Sequence, residues 1–251
     1  TFLPHIEFNL AFLFITTAVV GTTISPYMFF WQASEEIEEA REERLIHKDG
    51  TVLMNHHFMT RLRLDNLIGM IASQIATWSI IVTTATVLNG KGILDIRSAA
   101  DAAAALEPLV SSFPTAGFIA KFIFAGGVIG LGLLAVPVLA GSAAYALSEA
   151  LGWRHGLDKK LKEAPGFYAI IIAATLIGLS LNFLGIDPIK ALVYTAVING
   201  IVCIPLLFII GKIAASKKIM GNYASGKVSK ILVWLAFGVI LVAAVSLLFA
   251  R

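Results

Sequence analysis

The sequence is poor in charge, has a single cysteine and does not open on methionine. Only 14% of its 251 residues are charged, against about 25% in soluble domains. Fifty-eight per cent are hydrophobic, and the mean hydropathy is +0.85. Together these exclude an ordinary soluble domain and define an integral membrane protein. Cys203 stands alone inside an apolar run, so a disulfide framework and a cysteine metal site within the chain are both excluded. The first apolar run follows Thr1-Phe2-Leu3-Pro4-His5-Ile6-Glu7 directly, and no signal peptide is expected from that stretch. No nucleophile–base pair and no cluster with metal-ligand spacing appears, so the sequence does not read as an enzyme, and no cofactor is expected. The net charge of +3 does not point to nucleic acid, because the basic residues collect between apolar runs, as membrane proteins place them.

Six apolar segments stand out: Phe8–Gln32, Leu64–Leu88, Gly117–Leu151, Gly166–Leu184, Pro188–Ile213 and Ile231–Phe249. The expected class is an all-α membrane domain spanning residues 1–251. The third segment is too long for one crossing of a roughly 30 Å core, so it should tilt or protrude, with a kink at Pro137. Fourteen of the nineteen basic residues fall between segments one and two, three and four, and five and six. The positive-inside rule places those connections in the cytoplasm of a multi-pass cell-membrane protein. The chain then starts and ends outside, which predicts an odd number of further helices upstream.

The first segment does not read as one smooth helix. Gly21-Thr22-Thr23-Ile24-Ser25-Pro26 is small, hydroxyl-rich and closed by proline. Pro26 has no N–H and disfavours helix at Ser25, so the hydrogen-bond ladder should open between Gly21 and Ser25. Open backbone at membrane depth persists only where protein buries it or a polar cavity hydrates it. The break is therefore either a binding site or a simple proline kink healed by its hydroxyls.

Other stretches carry weaker expectations. The acidic run from Glu35 to Glu43 continues the first segment as a charged helix. It is a cation-attracting mouth or a solvated helix end, with Glu38 able to meet Arg41 and Glu39 to repel Glu43. His47, His56 and His57 read as surface residues, Lys48–Thr51 as a turn and Ala99–Leu109 as a short helix. Asp65 and Asn66 open the second segment as a cap, and Asn182 caps the fourth. Thr83, Thr84 and Thr86 are at home in a membrane helix. Gln74, deep in the second segment, either lines a pathway or bonds a neighbouring helix. Asn199-Gly200, followed by Pro205, is a second place where backbone could open.

The stretch Gly21-Thr22-Thr23-Ile24-Ser25-Pro26-Tyr27-Met28-Phe29-Phe30-Trp31-Gln32-Ala33-Ser34-Glu35-Glu36 resembles the sixth helix of the Nramp family of divalent metal transporters. It is closest to a bacterial branch with a Thr-Thr-Ile-Ser-Pro-Tyr signature. The rest of the chain resembles the remaining helices to the eleventh, with Ala135–Leu151 similar to the eighth, Ile198–Ile213 to the tenth, and Trp234 in the eleventh. The resemblance spans the chain but only half of a family member, so it implies five absent helices upstream.

It also implies the LeuT-type fold of two inverted repeats, whose first and sixth helices unwind at the midplane, and transport by alternating access. In better-known members the sixth-helix motif is Met-Pro-His-Asn. Ser25, Pro26, Tyr27 and Met28 occupy those positions, so a hydroxyl replaces a metal-binding thioether, and Gln32 stands where a second histidine would be. The resemblance thus implies Ser25, Gly21, Thr22 and Tyr27 at the ion and Gln32, Gln74 and Asn199 along the pathway. The implied partners are a divalent cation, the lipid bilayer and the absent half. Two alternatives stay open: an amino-acid or other small-solute carrier of the same superfamily, and a non-transporting membrane scaffold. The broken helix speaks against the scaffold.

Overall fold

The computed structural model describes residues 9–46, 56–88 and 115–249. His47, the Lys48–Thr51 turn and the short helix expected at Ala99–Leu109 lie outside the described residues. The described residues form helices joined by short connections: α1 Leu10–Ile24, α2 Pro26–Glu42, α3 His56–Thr83 with a π-helical turn at Thr84–Leu88, α4 Ala116–Ala150, α5 Pro165–Ser180 followed by a 3-10 turn Leu181–Phe183, α6 Pro188–Ala215, the four-residue α7 Lys217–Met220 with a 3-10 turn Gly221–Tyr223, and α8 Lys227–Phe249. Among the described residues, five stretches are long and apolar enough to cross a membrane: Leu10–Glu42, His56–Val87, Gly117–Ala150, Pro188–Ala215 and Lys227–Ser246. The fourth apolar segment of the sequence is the short one. Its helix has 16 residues, about 24 Å at 1.5 Å per residue, and the 3-10 turn adds about 6 Å at 2.0 Å per residue.

The chain divides into two compact units, one of Thr1–Phe30 with Leu181–Arg251, the other Trp31–Ser180. In the first unit α1 lies against α6 and α8, and α6 lies against α8. Asn9 starts α1 by accepting the Phe12 N–H at 2.8 Å. Asp187 starts α6 by accepting Ile189 N–H at 2.9 Å, with Pro188 in the first helical position, where its missing N–H costs nothing. The core joins Ala18 to Ala196 and Val197, and Cys203 and Leu207 to Ile240. Phe208, Trp234 and Phe237 pack edge-on or tilted at centroid distances of 5.8, 6.0 and 5.5 Å, a favoured arrangement for aromatic quadrupoles.

The α1–α6 crossing rests on glycine. A Cβ at Gly21 would stand 2.2 Å from the Ala196 carbonyl oxygen and 2.4 Å from the Gly200 nitrogen. A Cβ at Gly200 would stand 2.7 Å from the Thr17 carbonyl oxygen. Thr17 is fully buried, and its hydroxyl donates back to Leu13 O at 2.8 Å. It therefore brings no unpaired polar group into the contact. Small residues with satisfied hydroxyls are how membrane helices approach closely where lipid is as apolar as leucine.

In the second unit the last turns of α4 pack on α5 through Ala144, Tyr145, Ala164 and Phe167, with Trp31 of α2 against them. Gly141 admits the Trp31 ring, whose Cζ3 would be 2.3 Å from a Cβ there. The N-terminal two-thirds of α4 and most of α3 expose their leucines, isoleucines and phenylalanines, the surface expected of segments facing lipid or further helices. Pro137 sits inside α4 without ending it.

α2 is tied down by polar contacts that its own spacing did not suggest. Glu38 does not meet Arg41. Its carboxylate accepts the Tyr145 hydroxyl at 2.8 Å and the Asp158 N–H at 3.3 Å. Tyr145 in turn accepts the Leu157 N–H at 3.1 Å. Arg41 pairs with Asp158 at 3.5 Å. Glu39 and Glu43 both bind Arg61, the latter at 2.8 Å, so one guanidinium from α3 neutralises the like-charge pair. Tyr145→Phe removes one donor from the carboxylate and the acceptor of the Leu157 amide. It should lower the stability of this unit by about 1–3 kcal/mol, read as an earlier thermal unfolding midpoint in detergent. A midpoint equal to wild type would show that water replaces the hydroxyl without cost.

Asp65 is not a cap. α3 begins at His56, so Asp65 lies well inside the helix and is exposed. The apolar run starts at Leu64, but a polar turn of His56, His57 and Thr60 precedes it, with Thr60 Oγ1 donating to His56 O at 2.8 Å. Both described histidines of that turn are exposed.

Candidate functional site

The helix is broken where Pro26 requires it. α1 ends at Ile24, and Ser25 takes the left-handed conformation at φ 49° and ψ 71°. Its N–H still reaches Gly21 O at 3.0 Å, and its own carbonyl accepts Met28 N–H at 2.9 Å, an i→i+3 bond. A continuous helix would bond Thr22 O to the amide of residue 26, which proline lacks. The Ser25 hydroxyl takes that acceptor instead. Thr22 Oγ1 lies 3.1 Å from Ala18 O and 2.9 Å from Val19 O, and Thr23 Oγ1 donates to Val19 O at 2.7 Å. Every hydroxyl proton of the break is thus spent on a carbonyl. The oxygen lone pairs are not, so these hydroxyls can act only as acceptors or as donors of electron pairs to a cation. Thr22 and Thr23 are exposed, Ser25 and Tyr27 half-buried, and Pro26 buried.

Gly21 has a packing duty beside any other. It is buried against α6, and its carbonyl is the acceptor of Ser25. Asn199 is half-buried and directly precedes Gly200, whose nitrogen meets Gly21. The structure therefore brings Asn199 to the level of the break. It does so without a second opening: α6 runs unbroken from Pro188 to Ala215, through Asn199, Gly200 and Pro205. Glycine at 200 serves the close approach of α1 rather than a change of backbone direction.

Gln32 and Gln74 lie in the other unit. Gln32 Nε2 donates to Asn66 Oδ1 at 2.9 Å, and Asn66 Nδ2 donates to Leu62 O at 2.8 Å, so Gln32 is held as glue between α2 and α3. Gln74 is exposed on α3. Glu35, Glu36, Glu38, Glu39, Glu42, Leu157 and Asp158 line a cavity of about 470 Å³. Among the described residues no three His, Cys, Asp or Glu side chains are placed to hold a metal ion. A cation at the break would meet hydroxyl and carbonyl oxygens, whereas one in the cavity would meet carboxylates.

Fold and break define a class: a multi-helix membrane protein whose first long apolar stretch is interrupted near its middle by a Ser-Pro pair wrapped in its own hydroxyls. The family model for natural resistance-associated macrophage protein-like proteins, Nramp, matches residues 1–250. The chain belongs to that family. It is also similar to the divalent metal cation transporter MntH of Caldanaerobacter subterraneus subsp. tengcongensis, 25% identical over 236 residues, which are 92% of this chain and 49% of that protein. The chain thus spans about half the length of the curated relative it matches.

Proposed function

We propose that this chain forms part of a divalent metal cation transporter of the cell membrane that works by alternating access, and that it needs a further set of helices to complete its site. The observation that carries the reading is the break at Ser25. A membrane helix gains nothing from opening its backbone unless the opening faces something polar, and here the Thr22, Thr23 and Ser25 hydroxyls present lone pairs rather than protons. Ser25, Thr22 and Tyr27 are the proposed oxygen donors, with the carbonyl of Gly21. Asn199, next to the Gly200 that packs on Gly21, is proposed to face them from α6. Gln32 and Gln74 are proposed for the path to and from the site, Gln32 through its fixed orientation against Asn66.

Neutral oxygen donors suit hard ions such as Mg²⁺ or Mn²⁺, which keep part of their water. Family membership and the name of the relative support a cation as cargo, and transport rather than catalysis. The test is flux into proteoliposomes holding the full-length protein. Saturable uptake of Mg²⁺ or Mn²⁺ is expected. Uptake of an amino acid in the absence of any divalent cation flux would replace this reading with that of a small-solute carrier.

A further inference from the structure

After Asp187 the sequence has no acidic residue, yet it carries Lys190, Lys212, Lys217, Lys218, Lys227 and Lys230. All but the first cluster where α6 ends, in the turn that follows it and in the first turn of α8. Lys212 is accounted for: it lies in the last turn of α6, where a cation complements the helix dipole, and its ammonium sits 4.5 Å from the Phe208 ring centre. The other four have no such explanation. Lys217, Lys218 and Lys227 are exposed and Lys230 is half-buried. None forms an ion pair with a described carboxylate. Asp187, the one described acid of this unit, caps the far end of the 28-residue α6, about 42 Å away along the helix.

The turn is folded, not a loose tail. Ser225 N–H donates to Ala214 O at 2.8 Å and Met220 N–H to Ser216 O at 2.9 Å, so the lysines flank a closed connection. Apolar side chains stand among them: Ile219 is 64% and Val228 71% exposed. Ammonium groups with no counter-charge among the described residues, interleaved with exposed aliphatics at the end of two membrane-length helices, fit the boundary of a bilayer. There phosphate lies just outside hydrocarbon, and lysine stems can run along the apolar layer while their heads stay wet.

We propose that Lys217, Lys218, Lys227 and Lys230 form a binding surface for the phosphate headgroups of anionic phospholipids in the adjoining leaflet. A bilayer rather than a soluble anion is the partner because Ile219 and Val228 would otherwise stay in water beside the charges. The inference does not depend on what the chain transports.

The test is lipid retention. The full chain is purified in neutral detergent from mixed vesicles of phosphatidylglycerol and phosphatidylcholine, and the lipid that stays bound is counted. Wild type should retain phosphatidylglycerol preferentially. The variant Lys217→Gln/Lys218→Gln/Lys227→Gln should lower that preference at least about tenfold, since each lysine near an anionic surface contributes appreciably. Arginine at the same three positions should preserve it, which separates lost charge from lost fold. Lys159→Gln/Lys160→Gln/Lys162→Gln removes the same charge elsewhere and should change little. An unchanged preference in the first variant, or an equal loss in the last, would overturn the proposal. So would displacement of the lipid by millimolar inorganic phosphate alone, which would make the surface a soluble-anion site.

Discussion

Gly21→Ala should cost about 3 kcal/mol or more and separate α1 from α6. The added methyl would lie 2.2 Å from the Ala196 carbonyl oxygen, 2.4 Å from the Gly200 nitrogen and 2.8 Å from the Gly200 Cα. All three are backbone atoms of one helix, so no rotamer change can make room. The two helices must move apart or the residue must leave its helix. Overpacking a core costs about 1–3 kcal/mol when side chains can adjust, and more when they cannot. The contact also holds the break, because the Gly21 carbonyl is the acceptor for Ser25 N–H. Gly130→Ala supplies the contrast. A Cβ there meets nothing within 4 Å, and alanine favours helix over glycine by about 1 kcal/mol. Thermal unfolding in detergent should show a sharp loss for the first and no loss for the second. Equal midpoints would mean that α1 and α6 pack more loosely than their backbones indicate.

The same pair of helices shows what the sequence could and could not disclose. Pro26 after a run of small hydroxyl residues was legible as a break, because a missing N–H and a steric clash are local facts. Asn199-Gly200 with Pro205 offered similar local cues, and the helix there is continuous. The difference is tertiary. Gly200 is small because Thr17 of another helix lies on it, and nothing in residues 195–205 names that partner. Glu38 and Arg41 failed in the same way. Helical spacing allowed them to meet, but Tyr145 and Asp158, more than 100 residues further on, offer hydrogen bonds to backbone as well as charge. Asp65 misled for another reason: hydropathy marks where apolar residues begin, whereas a helix begins where its backbone bonds do, at His56. The family was legible because one sixteen-residue motif carries it. The ion-site roles came from that motif's resemblance alone, because nothing in a run of small hydroxyl residues distinguishes an oxygen that meets an ion from one that only heals the backbone.

Ser25→Met should raise uptake of Cd²⁺ relative to Mg²⁺ by about tenfold, the size of a 1.4 kcal/mol change in preference. The Ser25 hydroxyl gives its proton to Thr22 O and keeps hard lone pairs for an ion or its water. Methionine offers a soft, polarizable sulfur and fills the space that a hydrated Mg²⁺ would need, so both changes favour the softer ion. One cost comes with the substitution and must be separated from selectivity: Thr22 O loses its substitute donor, about 1 kcal/mol. The strain of a non-glycine residue at φ 49° is already borne by serine and is not added. Ser25→Ala bears the same loss without supplying sulfur, so it is the matched control. If Ser25 lies at the ion, alanine lowers both fluxes while methionine changes their ratio. If Ser25 only heals the broken ladder, both variants lower both fluxes alike and the ratio stays at its wild-type value. The measurement is the Cd²⁺ to Mg²⁺ flux ratio of full-length protein in proteoliposomes at matched protein content, and a constant ratio across all three proteins would remove Ser25 from the ion's coordination sphere.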